Sequence, residues 1–254
     1  MGGGWVNPLP SVKISFMNIN FWSSPRNVST ALMYSFAQHS RVEVVDEPLY
    51  AHYLLRTESP TPHPGRAEIL AHQTTDRRRL INELRREVPG KTRLFKQMTH
   101  HLIELDWSFL PDFQNVLLIR DPRRIVASYA KVTDAVTVAD VGYELQGKLY
   151  DYLMEHHALR AVVDSKRLLL NPRKTLTELC IRLGLDFEAG MLDWEAGARA
   201  EDGVWAKYWY HKVHQSTGFA PYREGEVALT PQQEAVVSAC LPTYERLLRA
   251  PLLI

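Results

Sequence analysis

Between an apolar run from Val12 to Phe21 and a helix-like run from Ala31 to Ala37 stands Trp22-Ser-Ser-Pro-Arg-Asn-Val-Ser-Thr30. The order is strand, short loop and helix start, with Arg26 in the loop and Ser29 and Thr30 at the helix mouth. A helix N-terminus leaves backbone N–H groups unpaired and carries the positive end of the helix dipole. A loop that enters one with an arginine and hydroxyls is therefore suited to an anion, and phosphate is the foremost candidate. Both glycines and the lysine of G-x-x-x-x-G-K-[ST] are missing, which makes the segment a poor loop for ATP or GTP. Ser29 and Thr30 also fit the plainer role of an N-cap, so this stretch needs a second site beside it.

That second site is Val116-Leu-Leu-Ile-Arg-Asp-Pro-Arg-Arg-Ile-Val-Ala-Ser-Tyr129. Four apolar residues predict a buried parallel strand, and Asp121-Pro122 opens a helix with proline at its first position. Arg120 falls where strand becomes loop, and Ser128, eight residues on, lies two turns down the helix. A guanidinium with a planar fork of donors and a nearby hydroxyl can grip a second phosphate. The alternative is a structural arginine beside an N-cap aspartate.

Together, Ser24-Pro-Arg-Asn-Val-Ser-Thr30, Arg120-Asp-Pro122 and Ser128 resemble the paired signature of sulfotransferases that use 3′-phosphoadenosine 5′-phosphosulfate (PAPS). Asp164-Ser-Lys-Arg-Leu-Leu-Leu-Asn-Pro172 and Leu176 to Leu185 are similar to a later strand-and-helix segment of that family. The resemblance covers most of the chain from Val12 onward, and its Pro-Arg loop looks closer to the trehalose- and tyrosylprotein-type members than to the cytosolic ones. It implies that Ser24, Arg26, Asn27, Val28, Ser29 and Thr30 hold the 5′-phosphosulfate. It likewise implies that Arg120 and Ser128 hold the 3′-phosphate, with PAPS as donor, adenosine 3′,5′-bisphosphate (PAP) as product and no metal. Val28 stands where the family usually has glycine and Asn27 where it has serine. No Gly-x-x-Gly-x-Trp-Lys stretch is present, and Tyr222-Arg-Glu-Gly225 is its partial substitute. Domains of this type also look similar to segments fused to aminotransferase-like proteins in plants.

A single domain over 12–254, preceded by a flexible leader at 1–11, accounts for the 254 residues, of which 45% are hydrophobic and 23% charged. A net charge of +1 argues against a nucleic-acid partner. The two cysteines, Cys180 and Cys240, sit in apolar helical patterns and are expected to be reduced and buried. No apolar run approaches the length of a membrane span, so the expectation is a cytoplasmic protein without a membrane partner; its oligomeric state is left open.

Strand-like runs at Lys13–Phe21, Val42–Val45, Leu94–Met98, Val116–Ile119 and Leu159–Val163 alternate with helical patterns, among them an Arg-rich amphipathic helix from Thr75 to Val88. The alternation predicts a three-layer α/β fold, a doubly wound, mostly parallel sheet; the resemblance makes its topology P-loop NTPase-like. Ligands of such sheets bind beyond the carboxyl ends of the strands. Arg26 follows the first strand, Asp46-Glu47 the second, Thr99-His100-His101 the third and Arg120 the fourth, all on one rim.

Sulfonate transfer to a hydroxyl needs a cation at the leaving phosphate, a base and in-line placement. Arg26 is the cation. Glu47 ranks first as base, because Asp46-Glu-Pro-Leu-Tyr50 resembles a carboxylate-bearing loop of the trehalose and tyrosylprotein types. His101 competes, because Lys96-Gln-Met-Thr-His-His-Leu102 resembles the segment that carries the catalytic histidine of cytosolic members; His100 stays open beside it. Lys96 either orients the sulfonate or snorkels from the sheet. The aromatics of Val204 to His214 form either a wall for a phenol, a sugar or adenine, or a packed helix face with Trp205 and Trp209 at i, i+4. The acceptor is expected to be a small hydroxylated molecule. A non-catalytic domain that senses the bisphosphate is the alternative, and a kinase is disfavoured by the missing lysine loop and magnesium-binding aspartates.

Overall fold

The computed structural model describes residues 17–57, 63–131, 135–225 and 227–254. The expected leader, the start of the first apolar run and most of the Pro-rich loop before Gly65 lie outside the described residues. Five strands, β1 (Ile19–Ser23), β2 (Val42–Asp46), β3 (Thr92–Met98), β4 (Gln114–Ile119) and β5 (Leu159–Asp164), form one sheet in the order β2-β3-β1-β4-β5. Every pairing is parallel. All carboxyl ends therefore meet on one rim, as the alternation of elements predicted.

The helices are α1 (Ser29–Ala37), α2 (Tyr50–Arg56), α3 (Arg66–His72), α4 (Arg77–Arg85), α5 (Pro122–Tyr129) and α6 (Val138–Val141). They continue with α7 (Tyr143–Glu155), α8 (Ser165–Leu170), α9 (Pro172–Leu183), α10 (Ala206–Trp209) and α11 (Pro231–Leu248). Alternate strand residues feed two cores, as a period of two requires. Phe21, Leu94, Val116 and Leu118 pack on Leu32 and Phe36 of α1 and on Leu176, Leu179 and Leu183 of α9. Trp22, Phe95, Leu117 and Ile119 face the opposite layer, with Leu80 and Leu84 of α4, Ile125 and Val126 of α5, Leu149 and Leu153 of α7, and Val237 and Leu247 of α11. Cys180 on α9 and Cys240 on α11 are both free and buried, one in each core.

Helix starts follow their capping residues. Asp76, Asp121, Asp164, Asn171 and Thr230 each accept a first-turn N–H, and Pro122, Pro172 and Pro231 occupy first-turn positions. The Arg-rich helix is α4; Leu80 and Leu84 turn inward at i, i+4 and leave the arginines exposed. Among the described residues β1 begins at Ile19 and runs two residues beyond Phe21, so Trp22 and Ser23 belong to the strand and the loop begins at Ser24. No helix among the described residues is long and apolar enough to cross a membrane.

The central strands carry one buried polar hub. Asn115 Oδ1 accepts the indole N–H of Trp22 at 2.9 Å, and its Nδ2 donates to the carbonyls of Leu110 at 2.8 Å and Phe113 at 3.0 Å. These bonds tie β4 to β1 and to the turn that precedes β4. Asn115→Ala would strand the Trp22 N–H and the two carbonyls in the core, at a cost of about 2–4 kcal/mol. Urea unfolding should show a lower midpoint with an unchanged slope.

Candidate active site

The loop from Ser24 to Val28 leaves β1 and enters α1 without a capping side chain: Val28 is the N-cap and offers no acceptor. Ser29 and Thr30 are thus the first two helical residues, not caps, and the first-turn N–H groups of α1 stay open to an anion. Asn27 shapes the approach. Its Oδ1 accepts from Val28 N at 2.8 Å, and its Nδ2 donates to the Leu118 carbonyl of β4 at 3.1 Å. Ser24 is buried with its Oγ unpartnered among the described residues. Arg26 holds a left-handed backbone, φ 59°, a conformation glycine adopts more easily.

The structure merges two groups that the sequence placed in separate phosphate sites. Arg26 Nε donates to Ser128 Oγ at 3.0 Å, and Arg120 donates to the Arg26 carbonyl at 2.5 Å. The reason is sheet order: β1 and β4 are neighbours, so the loops that follow them share one space. Arg124, which sequence reasoning did not single out, joins them from the next turn of α5 and stacks on the Tyr222 ring at 5.6 Å, with Lys166 over the same ring at 5.1 Å. Burial, then the charges of Arg124 and Arg26, push the Arg120 pKa down from its ordinary value. The nearby carboxylate, Asp121, is occupied in capping α5. Mutually repelling guanidiniums beside an open helix N-terminus form a site that an anion would relieve. Tyr222, in the stretch expected to substitute in part for the missing C-terminal motif, thereby lies beside Arg124 and Lys166, and Glu224 pairs with Lys166.

The second half of the site follows β3 and β2, one and two strands from β1, about 5 and 10 Å across the rim at ordinary strand spacing. Lys96 on β3 pairs in register with Asp46 on β2 and is almost wholly buried, so it does not snorkel out of the sheet. Its ammonium donates to Asp46 Oδ1 at 3.0 Å, to the Tyr210 hydroxyl at 2.7 Å and to Glu47 Oε1. Tyr210 in turn donates to Asp46 Oδ2 at 2.8 Å, which also accepts from Gly203 N at 3.1 Å. Burial alone would lower the Lys96 pKa, but Asp46 and Glu47 outweigh it and hold it well above the usual value. Burial raises Glu47 to about 7; Lys96 opposes the shift and Asp46 adds to it. Glu47 also carries a positive φ of 35°, with its N–H donating to the Lys96 carbonyl at 2.8 Å.

The adjacent histidines separate. His101 is buried, with Nε2 3.9 Å from Glu47 Oε2, its ring stacked on Tyr50 at 4.9 Å and Nδ1 unpartnered among the described residues. Burial, with His100 and Lys96, lowers its pKa well below 6.5 and keeps it neutral. His100 is half-buried, edge-on to Tyr53 at 4.7 Å, with its pKa pushed down to about 4 by burial. Trp205 and Trp209 stand at the start and end of one short helical turn but do not share a packed face. Trp205 is buried and donates to the Tyr210 hydroxyl at 3.3 Å, whereas the half-exposed Trp209 donates to His63 Nε2 at 2.6 Å. Tyr210 belonged to a noticed aromatic run, yet nothing in the sequence paired it with Asp46 and Lys96.

The geometry thus combines an anion cradle with a carboxylate that titrates near neutrality. The family described as "Sulfotransferase domain" matches residues 17–250, and the chain belongs to it. Two curated relatives from Arabidopsis thaliana, branched-chain-amino-acid aminotransferase-like proteins 2 and 1, are 34% identical over 229 residues and 35% over 231, in each case 89% of this chain. The chain spans 40% of the length of each. Among solved structures it is similar to the sulfotransferase domain of the Synechococcus PCC 7002 olefin synthase, with a TM-score of 0.55, 18% identity, and 87% and 93% of the two chains covered. A sulfotransferase from Alicyclobacillus acidocaldarius gives a TM-score of 0.55 at 10% identity, over 91% and 94% of the chains. These likenesses show the same α/β fold.

Lys96→Met would leave Asp46 and Glu47 buried without their cation, which should cost about 3–5 kcal/mol at pH 8. The raised folded pKa of Glu47 would climb further, so the loss should shrink as pH falls towards 5 and the carboxyl takes up its proton. Urea unfolding at pH 5 and pH 8 checks it, and an equal loss at both would contradict the electrostatic account.

Proposed function

We propose that this chain transfers a sulfonate group from PAPS to a hydroxyl of a small-molecule acceptor. The observation that carries the reading is the pairing, on one rim, of a guanidinium-rich anion cradle with a buried carboxylate raised to about 7. The residues present fit the donor. Ser24 Oγ, Ser29, Thr30 and the first-turn N–H groups of α1 would hold its 5′-phosphosulfate, with Asn27 and Val28 setting the backbone path. Arg120 and Ser128 would hold the 3′-phosphate, and Arg124 would add charge there. Arg26, anchored between both groups, would take up the negative charge that grows on the leaving phosphate.

In the transfer, the acceptor oxygen bonds to sulfur while the bond from sulfur to the phosphate oxygen breaks, and its electron pair stays on the phosphate. The acceptor proton goes to Glu47, whose Oε1 is held by Lys96 and whose Oε2 receives none of the Lys96 bonds. A pKa near 7 makes Glu47 strong enough to accept that proton and still ionised in a useful fraction at neutral pH. Neutral His101 packs beside Oε2 and shapes the pocket; it would replace Glu47 only if the carboxylate proved dispensable. The buried free thiols Cys180 and Cys240 support a cytoplasmic setting.

Calorimetric titration with PAP, without magnesium, tests the cradle. Arg120→Ala should weaken binding by about 1.5–3 kcal/mol and Ser128→Ala by less, because a charge-assisted contact is lost in the first and a neutral one in the second. Binding of ATP with magnesium but not of PAP would overturn the reading.

Transfer of labelled sulfonate from PAPS to a panel of hydroxylated small molecules tests the chemistry. Glu47→Gln should lower the rate roughly 10² to 10⁴-fold with PAP affinity kept. The wild-type rate should fall as pH drops below about 7, where Glu47 becomes protonated. A larger loss in His101→Ala, with Glu47→Gln nearly normal, would move the base to the histidine.

A further inference from the structure

The Lys96 ammonium has three N–H donors, and three acceptors meet it: Asp46 Oδ1, Glu47 Oε1 and the Tyr210 hydroxyl. Two of them come from the adjacent end of β2. The third arrives from a segment more than a hundred residues further along the chain, which also brings Gly203 N to Asp46 and the Trp205 indole to the same hydroxyl. Tyr210 is buried and its hydroxyl donates a hydrogen bond to Asp46 Oδ2, so it belongs to an unbroken chain from Asp46 through Lys96 to Glu47. Remove the hydroxyl, and one ammonium N–H is left unpaired in the protein interior. The remaining oxygen of Glu47 then becomes a target for it, and that is the oxygen the transfer needs free.

We propose that Tyr210 is a positioning residue for sulfonate transfer, holding Lys96 so that it engages Oε1 of Glu47 and leaves Oε2 to take the acceptor proton. The inference rests on Glu47 being the base and adds that the base is completed only when residues 203–210 are docked on the ends of β2 and β3. The titratable groups that face Glu47 are Asp46 on β2, Lys96 on β3, Tyr50 on α2, Tyr210 after α10 and His101 after β3, with His100 and His52 behind His101.

An infrared difference titration reads Glu47 directly and needs no acceptor, with Glu47→Gln as the reference that removes its carboxyl band. Tyr210→Phe keeps the ring and deletes only the hydroxyl. It should displace the Glu47 midpoint from its value near 7 by at least half a unit, while PAP affinity stays within twofold. Trp205→Phe removes the indole donor to that hydroxyl together with part of a buried ring, and should give a smaller displacement in the same sense. An unchanged midpoint in both variants overturns the proposal. With an acceptor in hand, Tyr210→Phe should lower kcat at least tenfold with KM for PAPS unchanged, and should cost nothing further in a Glu47→Gln background. Independent, additive losses would assign Tyr210 a role that does not pass through Glu47. If Glu47→Gln leaves turnover intact, the base assignment fails on that result alone, and the infrared midpoints still decide whether Tyr210 governs the carboxyl.

Discussion

One buried ammonium organises the rim. Lys96 is removed from water on a central region of the sheet, where an unpaired charge would be prohibitively costly, so the surrounding chain must supply acceptors. Asp46 and Glu47 supply charge and Tyr210 supplies the remaining acceptor. Two carboxylates against one cation also leave a surplus of negative charge in a dry place, and burial turns that surplus into the raised pKa of Glu47. The same interaction that joins β2 to β3 and pins residues 203–210 therefore prepares a group able to accept a proton near neutral pH.

The opposite imbalance exists at the loop after β1. Arg124 and Arg26 lie close enough to Arg120 to disfavour its charge, and α1 begins without a side-chain cap although most of the longer helices have one. Sheet order keeps the two imbalances apart: β3 stands between β2, whose end carries the carboxylates, and β1 and β4, whose loops carry the guanidiniums. On the proposed function, a donor that carries phosphates and an acceptor that carries a proton would meet across that gap, each facing the charge that stabilises it. Catalysis by a family with this fold needs little more than such fixed electrostatics and correct spacing.

Much of this was legible from residue types and spacing. Apolar runs bounded by Asp, Asn and Pro marked the strands and helix starts, because buried parallel strands and capped helices leave local signatures. The rim rule then places Arg26, Glu47, His101 and Arg120 on one side of the sheet from the strand order of the sequence alone. The edges were less legible. Ser23 carries turn-like chemistry but lies with Trp22 in β1, where pairing with β3 and β4 overrides local preference.

The sequence by itself determined the layers, the rim and the inventory of groups on it, since these depend on hydrophobic period and on helix signals within a few residues. Tertiary structure alone decided which of those groups touch. Arg26 met Ser128 because β1 and β4 are neighbours, His101 rather than His100 lay beside Glu47 because the turn after β3 points one ring inward, and Tyr210 joined Asp46 and Lys96 across more than a hundred residues. Such contacts have no local signature: they follow from strand order and from the need to satisfy a buried charge, and both are properties of the assembled fold.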